Sequence, residues 1–406
     1  MTRVAVIGAG AAGTMAAIFA ARGGADTVLL ERTKDGGRKI LISGGGRCNI
    51  LPARVDETRF VTASSPHVLR KILRSWPLRE QITFFESALG QELVEEAETA
   101  KLFPKSNRAR DVRDGLLALV AREGARFMPD TLVTGLHKEG SRWIVSREGA
   151  ADLEVDRVVI ATGGLSVPNT GSDGRGLEFL RGLGHTVHRT YPALTPITAT
   201  DSSFAALSGV SLTVTLTARA GTETVKATGG FLFTHRGYSG PAALDVSHLI
   251  VRSHEEPERA AARLTVRWTA LSEGDWESAL RPEGARTVGR VLKELLPERL
   301  ALLLLSRAGV DPAAQLSQLR REDRRRLIER LVRDELPWSG HEGYKKAEVT
   351  GGGVSLAEVD PRTMESRKQE GLFLAGEALD AFGPIGGYNF LWAWATGRAA
   401  GTGAAA

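Results

Sequence analysis

The sequence predicts an α/β fold whose sheet-forming segments lie near both ends of the chain, separated by a long insert. Val4–Ile7 is an apolar run that ends in glycines, Thr14–Arg22 carries small and apolar residues without a helix breaker, and Thr27–Leu30 has the β-branched character of a strand. Strand and glycine signals return at Ala347–Val354 and Leu372–Ala375. The chain is therefore predicted to begin with strand, turn, helix and strand.

The segments between these ends change in character along the chain. Helices and a small strand meander are predicted first, at His67–Trp76, Leu78–Leu89, Ala109–Glu123 and Leu132–Thr162. Residues from about 193 to 268 look dominantly β, whereas those from about 272 to 336 look helical, with leucine-rich stretches at Val288–Leu305 and Leu316–Leu336. The Gly/Ala tail from Gly401 to Ala406 is the one low-complexity segment.

Length and composition indicate an ordinary globular protein of two or three domains. The chain has 406 residues, of which 42% are hydrophobic and 25% charged. Its net charge of +5 could suggest an acidic partner, but the densest basic cluster, Arg320–Arg326, is interleaved with acidic residues and is typical of a solvated helix face. We therefore do not expect nucleic acid as a partner.

Cysteine usage and apolar runs exclude several classes of protein. Cys48 is the only cysteine, so an intramolecular disulfide, a dithiol mechanism and a cysteine-rich metal site are excluded, and no histidine motif indicates a metal. The first apolar run is too short for a signal peptide, and Phe390–Ala395 is far short of the roughly 18 residues of a membrane span. We expect a cytoplasmic protein that does not enter the membrane.

A glycine motif at the start of the chain indicates a bound dinucleotide. Gly8, Gly10 and Gly13 form Gly-x-Gly-x-x-Gly between the first strand and the first helix, where glycines permit the tight turn, the approach of a pyrophosphate and close helix–strand packing. Glu31 closes the second strand at about the spacing of the acid that binds a ribose 2′-hydroxyl. The predicted nucleotide is therefore FAD or NAD rather than NADP.

Three further features favour FAD. The loop Asp35–Asn49 is rich in glycine and basic residues, and the strand ending in Ala161-Thr162-Gly163 is typical of the turn that passes the first nucleotide loop in many flavoproteins. Near the C-terminus, a strand delivers Asp380 and Gly386-Gly387 open a helix. Asp380 could accept a hydrogen bond from a ribityl hydroxyl, and the helix N-terminus would stabilise negative charge on a reduced flavin ring.

We expect FAD to be bound tightly and without a covalent link. The predicted FAD-binding residues are Gly8, Gly10, Ala11, Ala12, Gly13, Glu31, Arg32, Gly37, Arg38, Lys39, Ser43, Gly44, Gly46, Arg47, Cys48, Asn49, Ala161, Thr162, Gly163, Gly376, Glu377, Asp380, Gly386, Gly387, Tyr388, Asn389 and Phe390. Because only one dinucleotide fingerprint is clear, NAD(P)H would act as a transient electron donor in the active-site cleft.

Longer motifs carry a resemblance that spans nearly the whole chain. They are Ile42–Asn49, Phe103-Pro104, Thr234–Pro241, Ala347–Val354, Gly376–Asp380 and Gly386–Asn389. Together they resemble the bacterial NAD(P)/FAD-dependent oxidoreductases of the BaiN type, which include proteins labelled aminoacetone oxidases and a bile-acid ene-reductase. The resemblance implies a Rossmann-like FAD-binding domain of the two-dinucleotide-binding flavoprotein type, interrupted by a β-barrel-like and a helical insertion. On it, residues 1–192 and 341–406 form the FAD-binding domain, 193–272 the β-rich insert and 273–340 the helical insert.

The candidate catalytic residues follow from the chemistry of hydride transfer. Reduction of a conjugated double bond needs a proton donor, and oxidation of an amine or alcohol can need a proton acceptor. His235, Tyr388 and Asn389 are the predicted catalytic residues, with Tyr238 and Cys48 as further candidates. His235 could equally be a structural hydrogen-bonding residue, Tyr388 could simply pack at the helix start, and a lone thiol is more often a small buried hydrophobe.

Three functions remain open on the sequence. The one we favour is NAD(P)H-driven reduction of FAD, followed by hydride transfer to a small, largely apolar substrate such as a conjugated C=C. The alternatives are an FAD-dependent amine oxidase or dehydrogenase that uses oxygen as the acceptor, and a structural flavin with an RNA-related role. The substrate, the preference for NADH or NADPH and the oligomeric state are not predicted.

Overall fold

The computed structural model describes residues 1–200 and 202–406. Its strands, numbered along the chain, are β1 (Arg3–Ile7), β2 (Asp26–Leu30), β3 (Leu51–Pro52), β4 (Leu93–Glu96), β5 (Lys101–Pro104), β6 (Arg126–Met128), β7 (Val133–Glu139), β8 (Arg142–Arg147), β9 (Ala150–Val155), β10 (Arg157–Ile160), β11 (Val187–Ala193), β12 (Ile197–Thr198), β13 (Ser211–Ala220), β14 (Glu223–Thr234), β15 (Gly237–Ser239), β16 (Arg263–Arg267), β17 (Asp334–Glu335), β18 (Gly340–His341), β19 (Val349–Val354) and β20 (Leu372–Leu374). Its helices are α1 (Ala11–Arg22), α2 (Arg38–Ile42), α3 (Pro66–Arg74), α4 (Leu78–Ser87), α5 (Ala109–Arg122), α6 (Arg175–Gly182), α7 (Ser202–Ala205), α8 (Pro241–Glu255), α9 (Glu273–Ala279), α10 (Val288–Lys293), α11 (Glu298–Ala308), α12 (Arg321–Arg333) and α13 (Tyr388–Ala405).

The chain divides into two compact units, which we call the first unit and the second unit. The first unit comprises Met1–Pro192 and Glu348–Ala406, and the second comprises Ala193–Ala347. In the first unit, a five-stranded parallel sheet has the order β20-β10-β1-β2-β6. The apolar residues of β1 and β10 are buried, as expected of central strands in a parallel sheet. The predicted α/β fold is therefore confirmed.

Helix α13 packs closely on α1, so the two ends of the chain share one core. A Cβ atom built on Gly397 would lie 2.3 Å from the backbone oxygen of Ala12, and one on Gly401 would lie 2.2 Å from that of Ala16. Only glycine permits this approach of the two helix backbones. The Gly/Ala tail of the sequence is thus the buried end of α13 rather than a low-complexity extension.

Smaller sheets complete the first unit. Strands β7, β8 and β9 form the predicted meander, but β10, which was predicted as its last strand, belongs to the parallel sheet instead. Strands β3, β5 and β4 form a second antiparallel sheet. Strands β11 and β19 pair where the chain leaves and re-enters the first unit. The backbone N–H of Ser355 donates to Thr186 O, and a Cβ on Gly352 would contact Arg189 O. The residue numbers rise along one strand as they fall along the other, so β11 and β19 are antiparallel. The two crossing points are therefore neighbours.

The second unit is built on a seven-stranded antiparallel sheet. Its order is β17-β16-β13-β14-β15-β12-β18. Helix α8 packs on β13 and β14, and the helices α9 to α12 add the leucine-rich part of the same core. Among the described residues, none of the helices combines the length and the apolar character that crossing a membrane requires.

One feature of the second unit corrects the prediction, and another adds detail to it. The region from 193 to 268, predicted as dominantly β, contains the helix α8. Pro241 fits the first turn of this helix, and Val246 is among the apolar residues that it buries, although β-branched residues of this kind suggest a strand when they are read alone. The stretch Val288–Leu305 is helical as predicted, and it consists of the two helices α10 and α11, the second of which begins after Pro297.

Candidate nucleotide-binding site

The glycine turn after β1 has the geometry that its spacing predicts. Gly8 has φ of +101°, and its N–H donates to Leu30 O over 2.8 Å. A Cβ atom on Gly13 would lie 1.7 Å from Gly8 O, which excludes any side chain there. A Cβ on Gly10, in contrast, would meet no protein atom within 4 Å. Ala11 and Ala12 then begin α1, so the open flank of Gly10 lies at the N-terminus of that helix.

Glu31 braces the glycine turn from the end of β2. Its Oε2 accepts from the N–H of Ala9 over 2.8 Å, and its Oε1 accepts from the N–H and hydroxyl of Thr33 over 2.8 and 2.7 Å. The residue is 8% exposed. The neighbouring Arg32 pairs with Asp173. The carboxylate is thus fixed beside the turn, while each of its oxygens can accept a further hydrogen bond.

The second glycine-rich segment lies directly against the first. The N–H of Gly37 donates to Ala9 O over 2.8 Å. The segment was predicted as a loop over residues 35–49, but it contains the short helix α2, followed by a 3-10 turn in which Gly44, Gly45 and Gly46 have φ of +56°, +68° and +84°. Three successive left-handed residues require glycine and give a turn of exposed backbone.

The basic side chains of this second segment lie against carboxylates. Arg38 Nε is 2.7 Å from Asp35 Oδ1, and this hydrogen bond lowers the pKa of Asp35 below its usual value. Arg47 Nη1 is 3.0 Å from Glu96 Oε1, and its guanidinium carbon lies 4.1 Å from the ring centroid of Phe103. Two of the basic residues predicted to bind the cofactor therefore have protein partners.

Lys39 and Glu377, both predicted to bind the cofactor, pair with each other. Lys39 Nζ lies 2.8 Å from Glu377 Oε2 and 2.7 Å from Ser166 Oγ, and Ser166 donates to Glu377 Oε1 over 2.6 Å. Thr350 N–H also donates to Glu377 Oε1. Burial raises the pKa of Glu377, but Lys39 and these hydrogen bonds outweigh it and hold the pKa below its usual value. Sequence reasoning did not find Ser166, which no motif marks.

The turn after β10 passes beside the first glycine turn. The N–H of Ala161 donates to Ile7 O over 2.9 Å, and a Cβ atom on Gly8 would lie 2.6 Å from Ala161 O. The hydroxyl of Thr162 is buried and lacks a hydrogen-bond partner among the described residues. Gly163 follows with φ of +76°. The two turns are therefore adjacent, as predicted, and the hydroxyl of Thr162 beside them has no hydrogen-bond partner among the described residues.

Asp380 holds a polar segment that sequence reasoning missed. Its Oδ2 accepts from the N–H of Ala63 and Ser64 over 2.9 Å each, from Ser64 Oγ over 2.8 Å and from Thr62 Oγ1 over 3.0 Å. The residue is 2% exposed. His188 Nε2 lies 3.8 Å from the same oxygen. The Thr62–Ser65 run of small polar residues before α3 was the available signal.

Helix α13 begins where Gly386 and Gly387 come close to another backbone segment. Gly387 has φ of +89°, and a Cβ on it would lie 2.4 Å from the carbonyl carbon of Leu51. Asn49 joins the two segments, because its side-chain amide donates to Leu51 O over 3.1 Å and accepts from Gly387 N over 2.9 Å. The first intrahelical bond runs from Leu391 N to Gly387 O. The N–H groups before it make no bond within the helix.

The side chains of the three predicted catalytic residues differ in the number of hydrogen bonds that they form with the described protein. Tyr388 Oη donates to Arg54 O and accepts from Asp56 N, both over 3.3 Å. Asn389 exchanges two hydrogen bonds of 2.9 Å with the backbone of Gly383. His235 is exposed in the turn between β14 and β15 of the second unit, and its imidazole has no hydrogen bond to the described residues.

Cys48 is buried and held by its backbone. It is 0% exposed, has φ of +61°, and its N–H donates to Ser43 O over 3.0 Å. Ser43 Oγ in turn donates to Ile40 O over 2.7 Å. Burial raises the pKa of the Cys48 thiol to about 12. The thiolate needed for nucleophilic or redox chemistry is therefore disfavoured.

Three observations of the first unit fit a bound dinucleotide. They are the open flank of Gly10 at a helix N-terminus, the fixed carboxylate of Glu31 and the unpartnered hydroxyl of Thr162 within the described part of the chain. The first can admit a pyrophosphate, the second can accept from a ribose, and the third can bond a polar ligand atom. The site residues themselves stay predictions.

Two known proteins are similar to the chain over nearly their whole lengths. A 3-dehydro-bile acid delta(4,6)-reductase from Clostridium scindens is 32% identical over 418 residues, which cover 100% of this chain and 99% of the reductase. A ribosomal RNA dihydrouridine synthase from Escherichia coli is 32% identical over 405 residues, which cover 96% of this chain and 95% of the synthase.

A solved structure and a family profile complete the comparison. A 3-ketosteroid delta1-dehydrogenase from Sterolibacterium denitrificans has a TM-score of 0.54 at 12% identity, covering 99% of both chains, and shows the fold alone. The profile of the HI0933-like protein Rossmann domain matches residues 2–403. The resemblance found in the motifs is thereby confirmed. The chain belongs to the HI0933-like Rossmann-domain family and is an FAD-dependent oxidoreductase.

Proposed function

We propose that the protein reduces a carbon–carbon double bond conjugated with a carbonyl group, in a small and largely apolar substrate, with electrons from NAD(P)H. The observation that carries this proposal is the full-length similarity to the 3-dehydro-bile acid delta(4,6)-reductase. That name describes a 3-keto compound with double bonds at positions 4 and 6. FAD, when bound, supplies hydride transfer between the nicotinamide and such a substrate.

We propose the first unit as the FAD-binding domain, with the ADP half at the first glycine turn. The N–H groups at the start of α1 and the positive end of its dipole would bind the pyrophosphate beside Gly10. Glu31 would accept from the ribose with the lone pairs that Ala9 and Thr33 leave free. The Lys39–Glu377 pair would act indirectly, by holding the second glycine segment in place.

The flavin end would lie near Asp380 and the start of α13. The hydrogen bonds between Asp380 and residues 62–64 fix that carboxylate, and the unbonded N–H groups at Tyr388 and Asn389 would stabilise negative charge on the ring. The hydrogen bonds of Asn389 to Gly383 orient this helix start. Of the three predicted catalytic residues, we propose His235 as the proton donor, because its imidazole is not engaged by the residues that the structure describes.

An anaerobic titration of the purified holoprotein tests the proposal. NADH or NADPH should bleach the flavin absorbance, and a steroid 4,6-dien-3-one should restore it while gaining two hydrogens, as measured by mass spectrometry. Failure of both nicotinamides to bleach the flavin would overturn the proposal. Release of hydrogen peroxide with an amine, without reduction by a nicotinamide, would instead establish the amine oxidase alternative.

Reduction of a uracil base in RNA is a second candidate function. The similarity to the ribosomal RNA dihydrouridine synthase favours it, and the net charge of +5 is compatible with an RNA substrate. The 5,6 double bond of uracil is conjugated with the 4-carbonyl, so both candidates require the same hydride and proton transfer. Ribosomal RNA incubated with the reduced enzyme should then contain dihydrouridine, which mass spectrometry detects. If the reduced enzyme is fully reoxidised by the dienone but leaves the mass of the RNA unchanged, this candidate is ruled out.

A further inference from the structure

A surface groove of about 1050 Å³ on the first unit is lined by basic side chains. We call it the basic groove. One wall is the helix α3, and the other is made by the segment after β19 and by the second half of α13. Seven of its lining residues are Arg, Lys or His, and neither Asp nor Glu is among the described residues that line it.

The helix α3 presents its basic residues as one stripe. They recur at the i, i+3, i+4 and i+7 spacing that places side chains on a single helix face. Ser65 caps the helix by accepting from His67 N, and Pro66 fits its first turn. The residues of the stripe are His67, Arg70, Lys71 and Arg74, and those buried on the opposite side are Leu69, Ile72 and Leu73.

Arg362, Arg367 and Arg398 complete the lining from the other side. Arg367 Nε donates to Val359 O over 3.1 Å, and Arg398 Nη1 donates to Ser75 O over 3.1 Å. Neutral carbonyl groups therefore hold these two guanidinium groups. Their positive charges stay available because a carbonyl orients a cation without cancelling its charge.

Most of the charge in the groove has no carboxylate partner. Arg74 forms a two-point pair with Glu57 through bonds of 2.9 and 2.8 Å, which neutralises it. In the part of the chain that the structure describes, the other four arginines and Lys71 make no ion pair with a carboxylate. Of the nearby acids, Glu358 pairs with Lys368 and His185, and Asp360 accepts from the backbone N–H of Arg362.

We propose that the basic groove binds the phosphodiester backbone of an RNA strand. Guanidinium groups remain charged and match phosphate oxygens with paired hydrogen bonds. The stripe on α3 extends about 10 Å along the helix axis, so its charges suit successive phosphates rather than one anion. The choice of RNA among phosphodiesters rests on the second candidate function proposed above.

The shape of the groove favours a nucleic acid strand over a membrane surface. Binding to the surface of a lipid bilayer requires an apolar face on the protein that inserts into the headgroup region. The exposed large hydrophobic residues of the described chain are Met1, Ile42, Val94, Leu295 and Leu302, and none of them lines the groove. The apolar residues Leu356, Val359 and Pro361, which also line the groove, are buried and present no apolar face for insertion into a membrane.

The test compares two triple variants of the holoenzyme that lose the same charge. The groove variant carries Arg70→Gln, Lys71→Gln and Arg362→Gln, and the control variant carries Arg320→Gln, Arg321→Gln and Arg325→Gln in the exposed basic cluster of the second unit. Fluorescence anisotropy of a labelled single-stranded RNA gives the affinity as a function of salt. The flavin spectrum and NAD(P)H-driven reduction of the dienone should be unchanged in both variants, which shows that each is folded.

We expect the groove variant to bind RNA at least tenfold more weakly than the wild-type protein, and its salt slope to fall by about 2, since each phosphate contact contributes roughly 0.7. The control variant should bind within about twofold of the wild-type protein. Unchanged affinity in the groove variant, or an equal loss in the control variant, would overturn the proposal. So would displacement of the RNA by millimolar inorganic phosphate, or groove-dependent binding to phosphatidylserine vesicles without binding to RNA.

The outcomes separate the groove from the second candidate function. If the groove variant binds RNA weakly, but neither the wild-type protein nor the variant forms dihydrouridine, the groove proposal stands and the proposed reduction of uracil in RNA fails. If the groove variant forms dihydrouridine in ribosomal RNA at the wild-type rate, the groove proposal fails and the uracil candidate stands.

Discussion

At the scale of single residues, Ser366, His185 and Glu358 form a row with the geometry of a catalytic triad. Ser366 Oγ is 2.9 Å from His185 Nε2, and His185 Nδ1 is 2.8 Å from Glu358 Oε2. However, the hydroxyl already accepts from the N–H groups of Lys368 and Gln369, and the histidine side chain is fully buried. The row therefore fixes the turn after Ser366 and has no access to a substrate.

This row predicts a loss of stability in acid. Burial raises the pKa of Glu358, but hydrogen bonds from Lys368, Thr186 and His185 outweigh it and lower the pKa to about 2. Because the folded-state pKa lies below the unfolded value of about 4.3, the stabilisation is complete above that pH and is lost as the pH falls towards 2. Burial also lowers the pKa of His185, which acts in the same direction below about pH 6.5.

We expect Glu358→Gln to lower the free energy of unfolding at neutral pH by about 2–3 kcal/mol. Urea unfolding should show that this difference shrinks as the pH falls from about 4.3 towards 2, because in this range the carboxyl group of Glu358 is protonated in the unfolded wild-type chain but still ionised in the folded protein. Glu370→Gln is the matched control, because Glu370 is on the same loop with its side chain 91% exposed. A difference that does not change with pH would contradict the assignment.

Cys48 should be unreactive in the native protein. Its burial and raised pKa leave almost no thiolate at neutral pH. A thiol-specific reagent such as Ellman's reagent should therefore label the native holoenzyme very slowly and the guanidinium-denatured chain at once. Rapid labelling of the native form would show that Cys48 is accessible and reopen its redox role.

His235 should act in only one half of the catalytic cycle. If it donates a proton, His235→Gln should slow substrate reduction by about 10²–10⁴-fold, while bleaching of the flavin by NAD(P)H proceeds at the wild-type rate. Stopped-flow absorbance measures the two steps separately. Arg236→Gln, at the adjacent exposed position, should leave both rates unchanged, and equal slowing of both steps by His235→Gln would point to a structural role.

At the scale of elements, the packing of α13 on α1 is the most demanding contact. Gly397→Ala places a methyl group 2.3 Å from Ala12 O, so the helices must separate, and we expect a loss of about 1–3 kcal/mol. Gly182→Ala in α6 is the control, because its methyl group would meet no atom within 4 Å. Replacing that helical glycine should be neutral or slightly stabilising. Thermal unfolding of the two variants compares them, and equal melting temperatures would contradict the close approach.

The elements that sequence reasoning found are those whose signals are local. The period-2 strands, the helix starts and the glycine turn at residues 8–13 depend on nearby residues, and the structure contains them. Helix α8 was missed because its Val and Ile residues suggest strands when isolated, and its packing on β13 and β14 decides otherwise. The helical structure of the Gly/Ala tail likewise depends on its packing against α1, which is distant in the sequence.

The candidate site shows the same limit. Spacing located the two glycine segments and the turn after β10, which the structure brings together through Ala9 and Ala161. It could not show that Lys39 pairs with Glu377, because the partners are 338 residues apart and either could equally contact a ligand. Nor could it find Ser166, because the only sign of its role is the pair of hydrogen bonds that its hydroxyl forms with Lys39 and Glu377.

At the scale of the whole molecule, the second unit is a contiguous insert that leaves and re-enters at neighbouring strands. We therefore expect residues 1–192, joined to residues 348–406 by a short Gly/Ser linker, to fold and to retain the flavin spectrum. Substrate reduction should be lost if the insert supplies His235. Absorbance spectroscopy and circular dichroism check folding and FAD content, and a soluble but colourless product would contradict the assignment of FAD to the first unit.

The contact between α1 and α13 also sets an order of events during synthesis. Ala12 and Ala16 are synthesised before the insert, but Gly397 and Gly401, which cover them, are synthesised only after the whole insert. At about 5–20 residues per second, the partner face of α1 stays uncovered for tens of seconds on the ribosome. The insert can complete its own core in that interval, so the unit that begins the chain is the last to finish folding.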